Sequence, residues 1–204
     1  MAWQLIAAAV VGYLLGAIPG GFLMGRLTRG IDVRSYGSGK TGATNALRTL
    51  GLWAALAVLL IDVGKGALAV SIARLLSDSA WAQAVAGMGV VVGHVWPVWL
   101  GFRGGRGVSA AYGSLLAMNP LVGLVLLPIA AAIVGATRYV SLMSIATASV
   151  GGVLFLALAI AGVLPFAYAA FAIAVAVLII LLHHDNIQRL LTGTERKIGQ
   201  KAQV

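Results

Sequence analysis

Nearly all the charge in this chain falls in four short stretches, and the sequence between them is apolar enough to lie in lipid. Hydrophobic residues make up 61% of the 204 positions and charged residues only 9%, with a mean hydropathy of +1.01. A soluble domain carries about 25% charge, so this chain reads as an all-α integral membrane protein. A spanning helix needs about 20 mostly apolar residues. Residues 3–25, 50–75, 81–100, 121–136, 141–161 and 165–183 come close to that requirement. The stretch 108–118 is shorter, bounded by glycine and by Asn119-Pro120, and reads as a short helix or a re-entrant segment.

Basic residues concentrate in loops on one side, which sets the expected topology. Arg26, Arg29, Arg34, Lys40 and Arg48 fall in the first loop, Arg103 and Arg106 in the second and Arg138 in the third. Arg189, Arg196, Lys197 and Lys201 fall in the tail. The connections near Ser77–Ala80, Asn119-Pro120 and Gly162–Pro165 carry no basic residue. Alternation gives about seven transmembrane helices, or five if 108–136 forms a re-entrant hairpin. The N-terminus then lies outside and the C-terminus in the cytosol. No basic residue precedes the first apolar run, so residues 3–25 read as a retained span and not as a signal peptide. A single transmembrane domain over 1–204 is expected, with motif loops at about 26–49, 101–107 and 137–140 and a tail at 184–204.

The net charge of +9 has no soluble face on which to bind nucleic acid, and basic loops beside anionic membrane lipids account for part of it. Cysteine is absent, which removes disulfides, thiolate catalysis and cysteine metal sites.

The first loop joins Arg34, Lys40 and Arg48 to glycines and hydroxyls, a mixture suited to phosphate. Gly37-Ser-Gly-Lys-Thr41 resembles the end of a nucleotide-binding P-loop, but Arg34 stands where that pattern needs glycine. A chain of this composition also has no room for the α/β domain such a loop requires. A turn capped by Ser38, Thr41 or Thr44 is the simpler local reading, yet it leaves three crowded cations unexplained. The second loop, Gly101-Phe-Arg-Gly-Gly-Arg-Gly-Val108, lets a ligand approach the backbone while two arginines fork onto phosphate. His94 lies just upstream, either as a hydrogen-bonded core residue or at the site. Ser141 reads as a helix cap in the third loop, and His183, Asn186 and Arg189 share one helix face in the tail. Asp62 and Lys65, three residues apart within a span, form either a neutralising pair or a functional one.

Together these motifs resemble the bacterial acyl-phosphate:glycerol-3-phosphate acyltransferases over nearly the whole chain. The resemblance rests on Gly37–Asn45 with Leu47-Arg48, on His94-Val-Trp-Pro97 with Gly101–Val108, on Tyr139–Leu142, and on His183–Leu190 with Glu195. Lys40 stands where the family usually has asparagine, and Arg106 replaces a lysine. Arginine holds its proton near neutral pH, so Arg106 fits an electrostatic role.

The resemblance implies transfer of a fatty acyl group from acyl phosphate to the first hydroxyl of glycerol 3-phosphate. Lysophosphatidic acid and phosphate are the products, in the first step of phospholipid synthesis at a bacterial inner membrane. It implies a cytosol-facing site, no cofactor, no metal, no covalent intermediate, and a functional link to the soluble enzyme that makes acyl phosphate. None of His94, His183 or His184 has an aspartate five residues on, as many other acyltransferases do. Catalytic roles fall on Ser38, Arg48, Arg106, His183 and Asn186. Substrate binding falls on Gly37, Gly39, Lys40, Gly42, Thr44, Asn45, His94, Gly104, Gly105, Gly107 and Ser141. The alternatives are a small anion transporter, which needs polar residues at both faces, and a scaffold for lipid enzymes.

Overall fold

The computed structural model describes residues 2–200, and within them the chain is helical, with no strand. The helices are α1 (Ala2–Gly16), α2 (Gly20–Arg29), α3 (Ala43–Thr49), α4 (Leu52–Leu76) and α5 (Ala80–Val95). They continue as α6 (Val108–Met118), α7 (Pro120–Thr137), α8 (Val140–Ile160), α9 (Phe166–Leu182) and α10 (His184–Leu191).

Five segments are long and apolar enough to cross a membrane: 2–29, α4, 80–100, α7 and α8. A sixth forms if α9 and α10, bent by 59° at His183, count as one. The remaining apolar helix, α6, has 11 residues. At 1.5 Å per residue it extends about 16 Å, roughly half the hydrocarbon thickness, so it cannot cross unaided. Asn119 ends it and caps α7, its Oδ1 accepting from the Val122 amide at 3.0 Å, with Pro120 in the first turn. Large apolar side chains including Leu60, Leu68, Leu121, Val153, Ile160 and Val177 face outward. Such a surface needs lipid to cover it.

The first span is broken where a single helix over 3–25 was expected. Pro19 has no amide hydrogen to continue α1, and the chain restarts at Gly20. The Ile18 carbonyl at the break accepts from the Gly20 amide at 3.2 Å and from Lys65 Nζ at 3.0 Å. Small residues set the helix spacing. Added side-chain carbons at Gly12 and Gly16 of α1 would strike the Ala86 and Val90 carbonyls of α5. Close packing of this kind holds membrane helices together where the hydrophobic effect does not. It brings the basic loops to one end of the bundle.

Candidate active site

One cavity of about 330 Å³ opens at that end. Ser38, Lys40, Thr44 and Arg48 reach it from the first loop and α3, Arg106 and Gly107 from the second loop, and Ser141 from α8. His183 and Asn186 close it from the α9–α10 bend. Of the residues predicted from sequence, Gly42, Asn45 and His94 also line it, and only Gly37, Gly39, Gly104 and Gly105 do not. The motifs separated in sequence therefore meet at one place.

The first loop is organised by Asn45, which is buried. Its Nδ2 donates to the carbonyls of Val33 at 2.8 Å, Lys40 at 2.8 Å and Tyr36 at 3.2 Å, while its Oδ1 accepts from the Ser38 amide at 2.9 Å. Its polar atoms are thereby committed to shaping the turn. Gly37 and Gly39 have φ of 61° and 70°, so both belong to the turn's left-handed backbone and lie behind the cavity wall. The residue capping α3 is Gly42, whose lack of a side chain rules out the expected cap by Ser38, Thr41 or Thr44. Arg34 also leaves the cluster of cations. It pairs with Asp32 at 2.7 Å and donates to the Leu100 carbonyl at 2.9 Å, tying the first loop to the second in a separate groove.

Two of the four glycines of the second loop, Gly104 and Gly105, pack against His94. An added carbon at Gly104 would strike the His94 carbonyl, and one at Gly105 would overlap His94 Nε2. Their bareness admits a neighbouring side chain of this protein and not, as expected, a ligand. His94 Nδ1 lies 2.8 Å from Lys65 Nζ and 3.4 Å from Asp62 Oδ1, so the Asp62–Lys65 pair is a three-residue cluster.

Glu195 forms the hub of the tail. Its Oε1 accepts from Asn186 Nδ2 at 2.6 Å and from Ser141 Oγ at 2.8 Å, and its Oε2 from Arg189 Nε at 2.8 Å. Burial alone would raise its pKa, but these three donors hold it below the usual 4.5. Ser141 is thus a contact to the tail; the residue before α8 is Tyr139, which makes no side-chain cap. His183 Nδ1 lies 2.7 Å from the Ile179 carbonyl. A carbonyl only accepts, so Nδ1 carries the proton and the neutral ring keeps Nε2 as an acceptor.

Among the described residues, no carboxylate forms an ion pair with Arg48 or Arg106. Arg48 Nη2 donates to the Arg196 carbonyl at 3.3 Å, and Arg106 Nε to the Leu182 carbonyl at 3.0 Å. Burial first, then neighbouring cations (Arg196 for Arg48, Arg189 for Arg106), lowers both guanidinium pKa values. Two desolvated cations therefore face the cavity with an excess of positive charge. Among the described residues, the buried side-chain atoms without a hydrogen-bond partner are Arg48 Nε, both Asp62 oxygens and Asn186 Oδ1, and all three residues line this cavity. Unsatisfied buried groups gathered at one place mark a binding site.

Opposite the charges, α4 offers Leu52, Ala55, Leu56 and Leu59, whose 3–4 residue spacing puts them on one face, with Asp62 a turn deeper. Val134, Val140 and Met143 complete the apolar wall. The site suits a molecule with an anionic head and a hydrocarbon tail. Sequence reasoning gave Glu195 no role and left Asp62 open; the helical spacing of the leucine face was the signal available for Asp62.

The family model described as "Glycerol-3-phosphate acyltransferase" matches residues 6–193. A glycerol-3-phosphate acyltransferase of Symbiobacterium thermophilum is 48% identical over 199 residues, covering 98% of this chain and 97% of the relative. One from Parasynechococcus marenigrum is 46% identical, covering 94% and 89%. Crystal structures of PlsY, an integral membrane glycerol 3-phosphate acyltransferase, are similar in its glycerol 3-phosphate and lysophosphatidic acid forms. Their TM-scores are 0.87 and 0.85, at 38% identity over 96% of both chains. These relatives are acyltransferases, which leaves the transporter reading without support. By sequence, fold and the convergence of its motifs, the chain belongs to the glycerol-3-phosphate acyltransferase family.

Proposed function

We propose that this protein transfers a fatty acyl group from acyl phosphate to the first hydroxyl of glycerol 3-phosphate, releasing phosphate and lysophosphatidic acid. The observation that carries this is the cavity itself, with uncompensated Arg48 and Arg106 at one wall and the α4 leucines at the other. Both substrates bear phosphate, and one also bears a hydrocarbon chain.

Acyl phosphate is an activated anhydride, so orientation and charge stabilisation supply most of the acceleration. The glycerol oxygen attacks the acyl carbon and the carbon–oxygen bond to phosphate breaks. Arg48 and Arg106 hold phosphate oxygens and stabilise the leaving group. Ser38 and Thr44 add hydroxyl donors, and Asn186, fixed through Glu195, offers Oδ1 to an acceptor hydroxyl. The proton goes to a phosphate oxygen of the substrate or to His183 Nε2. The distribution of basic loops supports a motif end facing the cytosol at a bacterial inner membrane, with the N-terminus outside. A soluble enzyme that makes acyl phosphate would supply the donor.

Purified protein given glycerol 3-phosphate with palmitoyl phosphate, or with palmitoyl-CoA, tests the reading. Lysophosphatidic acid formed from palmitoyl phosphate alone supports it. Product from the thioester alone would overturn the donor, and silence from folded protein with both would overturn the activity.

A further inference from the structure

Asp62 lies in α4 and is 1% exposed, beneath the leucine face that lines the cavity. Its two oxygens stand in different surroundings. Oδ1 lies 2.8 Å from Lys65 Nζ, 3.4 Å from His94 Nδ1, and beside the space an added carbon at Gly20 would fill. These are charge contacts and not aligned hydrogen bonds. Oδ2 meets no donor among the described residues.

The neighbours give Oδ2 nothing. Lys65 donates to the Ile18 carbonyl at 3.0 Å and to His94 Nδ1 at 2.8 Å, and its remaining contact is the charge contact with Oδ1. With Lys65 donating to Nδ1, the neutral His94 ring carries its proton on Nε2, the atom packed against Gly105. A carboxylate oxygen buried without a donor is unfavourable. Lys65 alone would neutralise the charge, yet the second oxygen stays open in a side chain on the cavity wall.

We infer that Asp62 is a positioning residue for the acyl acceptor, its Oδ2 accepting a hydrogen bond from a hydroxyl of a small polyol phosphate whose phosphate is held by the arginines. The inference rests on the proposed function and names how its acceptor is told apart from other phosphates. Arg48 and Arg106 recognise any phosphate; Asp62 recognises a second hydroxyl beside the one that Asn186 accepts.

The test titrates the purified protein with glycerol 3-phosphate and with n-propyl phosphate, which has the phosphate and three carbons but neither hydroxyl. The unaltered protein should prefer glycerol 3-phosphate by about tenfold or more. Asp62→Leu keeps the volume and removes both oxygens, and the preference should collapse while affinity for n-propyl phosphate stays the same. If an unpaired Lys65 prevents folding, the double variant D62L/K65Q removes both charges, a replacement that buried ion pairs tolerate. It keeps a donor for Ile18, and the same collapse is expected. A preference retained in the variants, or equal weakening of both ligands, would overturn the inference while leaving the acyltransferase reading standing. No binding of glycerol 3-phosphate to the unaltered protein would remove that reading and the inference with it.

Discussion

Arg48 donates from Nη2 to the main-chain carbonyl of Arg196 at 3.3 Å, so a cation of the first loop is held by a tail segment 148 residues later. The contact orients the guanidinium without neutralising it. Arg48→Ala should lower turnover by about a hundredfold or more, the usual cost of removing one preorganised stabilising group. Its thermal unfolding should stay close to that of the unaltered protein. Steady-state lysophosphatidic acid formation, with a melting curve on the same sample, checks both.

Arg34 has the same charge and a different fate. It is paired with Asp32 and faces the second groove, and partly exposed pairs of this kind contribute about 1 kcal/mol or less. Arg34→Ala should therefore reduce activity by less than about tenfold. A loss as deep as that of Arg48→Ala would place Arg34 in the substrate site.

Glu195 sets an acid limit on the docked tail. Its pKa is below the usual 4.5 in the folded protein, so its contribution to docking is full above about pH 4.5 and is lost as pH falls through the lowered value. The Ile198 amide, which donates to the Arg138 carbonyl at 2.8 Å, reports docking by hydrogen exchange. It should be protected at pH 7 and lose protection at strongly acidic pH. Glu195→Gln should expose it already at pH 7, with activity falling in parallel.

Gly105 and Gly42 separate packing from access. A carbon at Gly105 overlaps His94, whereas one at Gly42, whose φ is −76°, meets nothing within 4 Å. Gly105→Ala should destabilise the protein by about 1–3 kcal/mol, as overpacked sites do. Gly42→Ala should leave the melting temperature unchanged and confine any effect to KM for substrate. Equal melting temperatures for the two variants would contradict this division.

Because the chain has no cysteine, single cysteines report topology cleanly. Asp78 and Arg29 are both exposed, at opposite ends of the bundle. A membrane-impermeant thiol reagent should label Asp78→Cys in intact cells and Arg29→Cys only after permeabilisation. The reverse pattern would invert the proposed orientation.

Much of the architecture could be read from residue order because lipid makes a strong demand on composition. Apolar runs located the spans, and the loops carrying Arg48, Arg106, Ser141 and His183 could be grouped on one side. What remained hidden depended on distance in space. Nothing local marks Asn45 as the staple of its own turn, or assigns the bareness of Gly105 to His94, 11 positions earlier. Glu195 looks like a surface residue in a polar tail until Ser141, Asn186 and Arg189 are seen converging on it. Pro19 breaks the first span, and nothing local ties that break to Lys65, which donates to the neighbouring Ile18 carbonyl.

The strap formed by Glu195, Arg196 and Ile198 also orders events during biosynthesis. Every spanning helix leaves the ribosome before Glu195 does. A chain ending at Leu191 would keep every spanning helix but lack the wall that fixes Asn186 and Ser141 and the carbonyl that holds Arg48. The pocket is completed only by this last strap, so chains that stop short of Glu195 would occupy membrane with an unfinished site.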